Sequence, residues 1–328
     1  MRIAVLGAVA WGTALALHLA PRHEVVLWAR DHALCAAMAR ERTNARYLPG
    51  QPFPDALRVE ADLAAALATD LVILAVPTAG LRETLERVTA AGWRDGIGWL
   101  CKGFEPGTGQ LPHQVCAQVR PQAPCGVLSG PSFAEEVARG LPTAVTLAAS
   151  DPAFADTAAR AIHGGSLRVY RGDDVVGMEV AGALKNVMAI AAGIGDGLAL
   201  GHNARAALIT RGLAEIIRLG TRLGGKPETF MGLAGIGDLI LTCTGDLSRN
   251  RRVGLELGRG AALPDILQRL GHVAEGVNTA REVVRLATAL DVDMPIALAV
   301  CRVLDDPGSG PRVVQELLAR EQKPEHAR

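Results

Sequence analysis

Lysine is scarce in this chain. The 34 basic residues include only four lysines, Lys102, Lys185, Lys226 and Lys323, and the rest are arginines. An amine gives up its proton when its surroundings disfavour charge, whereas a guanidinium in a protein stays charged. The lysines are therefore the natural candidates for proton chemistry. Lys185 sits in the apolar run Met178–Ala191. On a helix it shares a face with Ala181, Gly182, Met188 and Ala189, and no carboxylate stands three or four residues away. Such surroundings lower an amine's pKa and suit proton exchange with a carbonyl or alcohol oxygen. The alternative is a lysine snorkelling from a helix edge. Lys102 follows the apolar run Gly98–Cys101. A residue there lies beyond the carboxyl end of a strand, where open α/β sheets bind ligands. Gly130-Pro131-Ser132-Phe133-Ala134-Glu135 also follows a strand-like run. Ser132 is expected to cap a helix over 132–139, with Glu135 completing a capping box. A helix start of that kind can also receive an anion. Lys226 and Lys323 read as ordinary loop and tail residues.

The elements that must carry these groups begin at the N-terminus. Arg2–Leu6 is a short apolar strand pattern, followed by Gly7 and an Ala/Leu-rich helical stretch that Pro21 ends. Strand, glycine turn and helix form the frame of a dinucleotide-binding unit. Its fingerprint Gly-x-Gly-x-x-Gly is incomplete here: Gly7 and Gly12 occupy the first and third positions, with Val9 in the second. The same residues imitate a signal peptide, but the strands that follow favour the dinucleotide reading. A second strand, Val25–Ala29, ends in Arg30, where an NAD-specific site usually carries a carboxylate for the ribose hydroxyls. A guanidinium there stacks on adenine or pairs with a 2′-phosphate, so NADP(H) is favoured. Asp31 follows at once, which leaves NAD(H) open, and a solvated strand end is the plain alternative for Arg30.

Further apolar strand patterns lie at 71–76, 98–101, 126–128 and 144–147, alternating with helical patterns such as 80–91. This alternation predicts an α/β N-terminal Rossmann domain, doubly wound with a mostly parallel sheet, over residues 1–178. An all-α C-terminal domain is expected over 179–328, its helices separated by Gly-rich connectors at 193–201 and 232–237. The 34 basic residues balance 34 acidic ones, which argues against nucleic-acid or polybasic membrane binding. No uncharged run reaches the length of about 18 needed for a membrane span. The six cysteines form no Cys-x-x-Cys pair and read as reduced core residues of a cytoplasmic protein. The histidines show no metal-ligand spacing, so no metal is expected.

Several motifs occur together: Gly-x-x-Ala-Trp-Gly-Thr-Ala at 7–14, with Gly7 and Gly12 flanking Trp11, Cys-Lys-Gly-Phe-Glu at 101–105, and Leu-Ser-Gly-Pro-Ser-Phe-Ala at 128–134. Ala-Leu-Lys-Asn-Val follows at 183–187, Gly-His-Asn-Ala-Arg-Ala-Ala at 201–207, Gly-Asp-Leu at 237–239, Ser-Arg-Asn at 248–250 and Val-Ala-Glu-Gly at 273–276. In this order and spacing the chain resembles the bacterial NAD(P)-dependent glycerol-3-phosphate dehydrogenases over about its first 280 residues. It departs at Val9, where that family normally has Gly. The resemblance implies hydride transfer between a nicotinamide and C2 of dihydroxyacetone phosphate or sn-glycerol 3-phosphate, feeding phospholipid synthesis. It implies that Lys185 is the proton donor and acceptor and that Lys102, at the junction of cofactor and substrate, polarises the substrate. Asp238 matches a substrate-contacting acid, which would hydrogen-bond a hydroxyl and help place the lysines. Gly130, Ser132, Ser248, Arg249 and Asn250 match substrate contacts. Gly7, Trp11, Gly12, Ala134, Val273 and Glu275 match cofactor contacts, which Arg30, Lys102 and Arg249 would share. A homodimer is implied as well. Two other readings are a related two-domain dehydrogenase of the hydroxyacid or 6-phosphogluconate type and a non-catalytic NAD(P)-binding sensor.

Overall fold

The computed structural model describes residues 1–270 and 274–322. The chain forms two compact units, residues 1–183 with 220–241, and residues 184–219 with 242–328. The boundary expected after 178 falls inside one long helix.

The first unit is built on ten strands: β1 Arg2–Leu6, β2 Glu24–Trp28, β3 Thr43–Asn44, β4 Leu48–Pro52, β5 Leu57–Glu60, β6 Leu71–Leu74, β7 Ile97–Trp99, β8 Cys125–Ser129, β9 Thr143–Ala149 and β10 Leu167–Gly172. Eight form one sheet in the order β10-β9-β8-β7-β6-β1-β2-β5, parallel throughout except between β8 and β9. β3 and β4 make a separate antiparallel pair. Alternate side chains of β1 serve opposite faces of the sheet: Ile3 and Val5 join one apolar cluster with Leu15, Leu19 and Leu27, while Ala4 and Leu6 join another with Leu74, Leu85 and Trp99. Burial on both faces is why these strands read as continuous apolar runs. The predicted doubly wound, mostly parallel sheet is what forms. β5, β10 and the β3–β4 pair carry no comparable apolar run; they are edge or outlying strands whose residues are partly exposed.

Among the strands of this unit run the helices α1 Ala10–Leu19, α2 His32–Glu41, α3 Leu63–Ala66, α4 Leu81–Ala90, α5 Pro112–Val119, α6 Ala134–Ala138 and α7 Pro152–Ile162. Asp31, Asp62 and Asp151 cap α2, α3 and α7 by accepting first-turn N–H bonds. The helix expected from Ser132 starts only at Ala134, with Phe133 at its N-cap and no side-chain cap. Ser132 is therefore not the capping residue.

α8 Val175–Gly197 follows, then α9 Gly201–Arg222, α10 Pro227–Phe230, a π-helical turn Leu233–Gly237, α11 Asp238–Thr244, α12 Arg249–Gly258, α13 Leu263–Leu270, α14 Glu275–Ala289, α15 Pro295–Asp305 and α16 Gly310–Leu318. α8 is long and apolar enough to cross a membrane by length and composition, but 89% of its apolar window is buried within the protein. Its first turns are anchored in the first unit by Glu179, a buried carboxyl that accepts Trp99 Nε1–H and His113 N–H, each at 3.0 Å.

In the second unit the connector expected at 193–201 is shorter than read: α8 runs on through Gly193 and Gly195 to Gly197, and α9 starts at Gly201. A Cβ at Gly193 would lie 2.0 Å from Arg251 O, and one at Gly254 would lie 2.0 Å from Ile190 O. These glycines let the backbones of α8 and α12 touch, so they serve packing rather than chain reversal. Asp196 of α8 adds ion pairs to Arg205 of α9 at 3.2 Å and Arg251 of α12 at 2.8 Å. At the start of α15, Ile296 and Ala297 donate their N–H groups to Glu215 at 2.6 and 3.2 Å. Burial outweighs those two bonds and pushes the Glu215 carboxyl up to about 7.

Candidate active site

The turn after β1 is shaped by two glycines. Gly7 has φ +121°, and a Cβ there would stand 2.4 Å from Ala75 O. A Cβ on Gly12 would stand 2.0 Å from Gly7 O. These are the turn and close-packing roles of the first and third fingerprint glycines, so the residues present fit a dinucleotide. Val9 is the N-cap of α1 with φ −76° and ψ 174°, ordinary extended backbone. Nothing in the backbone requires glycine there; what Val9 adds is a branched side chain at a helix N-terminus otherwise suited to an anion. Buried Asn44, from the small sheet, donates Nδ2–H to Ala8 O and to Thr13 Oγ1, each at 2.8 Å, and so braces the turn.

From this turn a chain of hydrogen bonds runs through the predicted residues of the first unit. Trp11 Nε1–H donates to Ser132 O at 2.9 Å and to Ser132 Oγ at 3.2 Å. Ser132 Oγ donates to Gly130 O at 3.0 Å. Lys102 Nζ lies 3.4 Å from the same carbonyl and 2.7 Å from Asp238 Oδ2. Gly130 has φ +145°, and a Cβ there would approach Val145 Cα to 2.9 Å. Asp238 is 1% exposed and opens α11, where a carboxylate is favoured by the helix dipole. The π-helical turn before it depends on Gly235, whose Cβ would lie 2.1 Å from Phe230 O. Glu105, the last residue of the 101–105 motif, holds this loop from behind. Its carboxylate accepts from Arg82 Nε and Nη2 at 2.7 and 2.9 Å, and the Arg82 guanidinium keeps its pKa below the usual range. Ser129 Oγ, from the 128–134 motif, is buried and makes no hydrogen bond among the described residues.

Elsewhere in this unit, Arg30 stands exposed just beyond β2 and pairs with Glu83 of α4 through Nη1 at 2.9 Å. Ala134 is the half-buried first residue of α6.

In the second unit Lys185 is 7% exposed and donates from Nζ to Thr242 Oγ1 at 3.0 Å. It is buried in the middle of α8, not snorkelling from its edge. Asn186 Oδ1 accepts from Asn250 Nδ2 at 3.0 Å, and Asn250 Oδ1 accepts from Gly276 N at 3.1 Å. Thr242 and Asn186 thus belong with the predicted residues; Asn186 lies in the 183–187 motif, where no role was assigned to it, and a threonine in Leu-Thr-Cys-Thr carries no local signal. Ser248 caps α12, its Oγ accepting Arg251 N–H at 3.2 Å, and Arg249 is exposed at the first position of that helix. Glu275 is the half-buried first residue of α14. Val273 lies outside the described residues. No cluster of His, Cys, Asp or Glu able to hold a metal occurs among the described residues.

The N-terminal family model of NAD-dependent glycerol-3-phosphate dehydrogenase matches residues 2–155, and the C-terminal model matches residues 174–314. Glycerol-3-phosphate dehydrogenase [NAD(P)+] of Aromatoleum aromaticum is 60% identical over 99% of this chain and 100% of its own. That of Dechloromonas aromatica is 56% identical over the whole of both chains. The crystal structure of glycerol-3-phosphate dehydrogenase from Coxiella burnetii superposes with a TM-score of 0.93 at 45% identity, covering 97% of this chain and 99% of that one. The fold, the lysine motifs and these matches agree: the chain belongs to the NAD-dependent glycerol-3-phosphate dehydrogenase family.

Proposed function

We propose that the protein interconverts dihydroxyacetone phosphate and sn-glycerol 3-phosphate with NAD(P)(H). The observation that carries the chemical half of this reading is Lys185: a buried amine in mid-helix, 3.0 Å from the Thr242 hydroxyl. Gly7, Gly12 and Trp11 would hold the dinucleotide at the carboxyl edge of the sheet, with Ala134 near it and Arg30 at its adenosine end. Bound NADPH or NADH supplies hydride to substrate C2. Lys185 delivers the proton to the oxygen on that carbon as negative charge develops there, and takes it back in the reverse direction. Lys102, oriented by Asp238 and Gly130 O, stabilises the developing alkoxide. The Asp238 carboxyl, 2.7 Å from Lys102 Nζ, holds that amine in position. Arg249 offers a planar fork to the substrate phosphate, beside Asn250 and Asn186. Ser248 contributes through the cap that sets α12, and Val273 and Glu275 would complete the cofactor contacts.

The free state of all six cysteines supports a reducing compartment, and on this reading the enzyme is a cytoplasmic homodimer that supplies glycerol phosphate for phospholipid synthesis. A steady-state assay with dihydroxyacetone phosphate and each reduced cofactor tests the activity. Turnover with both cofactors is expected. A preference for 2-oxo acids or 6-phosphogluconate over dihydroxyacetone phosphate would overturn it in favour of a related dehydrogenase, and cofactor binding without any turnover would indicate a sensor.

A further inference from the structure

Arg30 and Glu83 meet at the carboxyl edge of the sheet. Arg30 lies two residues beyond β2, and Glu83 lies in the first turn of α4, which follows β6. β1, with its Gly7 turn, runs between those two strands. Arg30 reaches both carboxylate oxygens of Glu83 through a single nitrogen, Nη1, at 3.2 and 2.9 Å. Its Nη2 and Nε make no bond to that carboxylate. On its other side Glu83 lies 3.8 Å from Arg87 Nη1, one turn along α4, and the Arg87 guanidinium stands 5.2 Å above the Trp28 ring. One carboxylate is thus shared by two cations, in a cluster open to solvent.

We propose that Glu83 is a specificity-determining residue, a built-in competitor that holds Arg30 against the 2′-phosphate of NADP(H) and so keeps NAD(H) usable. The inference rests on the reading that Arg30 faces the adenosine ribose. A 2′-phosphate carries close to two negative charges at neutral pH. To pair with Arg30 it must displace Glu83 or tolerate a like charge beside it. A ribose 2′-hydroxyl meets neither obstacle. With Glu83 neutralised, Arg30 and Arg87 together would match the phosphate's two charges. Discrimination here comes from a repulsive element as much as from an attractive one. Glu83 does not touch the nicotinamide half of the cofactor, so its effect belongs to the adenosine end.

The experiment is a binding titration with two nucleotides that differ only at the 2′ position, adenosine 2′,5′-bisphosphate and adenosine 5′-monophosphate. The proteins are wild type, Glu83→Gln, Arg30→Ala and the double variant. Glu83→Gln should tighten the bisphosphate about fivefold, the scale of an exposed ion pair, and leave the monophosphate within about twofold. The gain should be smaller in the Arg30→Ala background, where relief of like-charge repulsion and Arg87 alone remain, and should shrink in high salt. If Arg30→Ala weakens the bisphosphate but Glu83→Gln does not tighten it, the role of Glu83 is overturned while the placement of Arg30 stands. If Arg30→Ala leaves the bisphosphate unaffected, both fall. Equal tightening of both nucleotides by Glu83→Gln also overturns the proposal, because it would report general charge rather than the 2′ position.

Discussion

Replacing Val9 by glycine should tighten cofactor binding. Val9 occupies the N-cap of α1, and the first N–H groups of a helix have no acceptor within it. A dinucleotide pyrophosphate would take those donors. The branched Val9 side chain stands where bare backbone normally permits that approach. A hydrogen bond to a charged group contributes about 1.5–3 kcal/mol, so losing one corresponds to about a ten- to hundredfold weaker Kd. Val9→Gly should recover at least the lower end of that range for NADPH and NADH alike. The fold should not suffer. The backbone at Val9 is extended, Gly caps better than Val, and the conformational-entropy cost of glycine is about 0.5–1 kcal/mol. The melting temperature should stay within about 4 °C. Isothermal titration with each dinucleotide reads the effect, and adenosine 2′-monophosphate, which has no pyrophosphate, is the control. Equal dissociation constants for the wild-type and Val9→Gly proteins would refute the reasoning, and so would an equal gain for the control ligand.

Other predictions concern the second unit. Gly254→Ala would press a Cβ to 2.0 Å from Ile190 O and force α8 and α12 apart. Overpacking of this kind costs about 1–3 kcal/mol or more, so a clear fall in melting temperature is expected; an unchanged value would refute the backbone contact. Glu215, with a pKa of about 7 in the folded state against about 4.3 unfolded, binds its proton more tightly when folded. Its stabilising contribution is complete below about pH 4.3 and is lost as pH rises through about 7, by about 4 kcal/mol. Glu215→Gln should flatten that part of the stability-against-pH curve, and an identical curve for both proteins would contradict the assignment.

The sheet was legible because both of its faces are buried along its centre, which turns most of β1, β2, β6, β7 and β8 into apolar runs. Edge strands β5 and β10 offered no such signal. Gly193 misled in one direction: a sequence shows that glycine is needed but not whether for a turn or for a close approach. Ser132 misled in another. Its spacing from Glu135 is that of a capping box, yet its hydroxyl is taken by Trp11 and Gly130 O, a long-range arrangement with no local trace. Lys102 and Lys185 were identifiable from rarity and motif and Asp238 from motif, while Thr242 beside Lys185 and Glu83 beside Arg30 are recognised only by what they touch.

The central claim is that Lys185 carries the proton. It is tested most directly by comparing Lys185→Ala with wild type in dihydroxyacetone phosphate reduction, alongside cofactor titration of both proteins. A positioned acid contributes about 10²–10⁴-fold, so kcat should fall by that factor while the NADPH dissociation constant stays unchanged. Turnover within about tenfold of wild type would contradict the account.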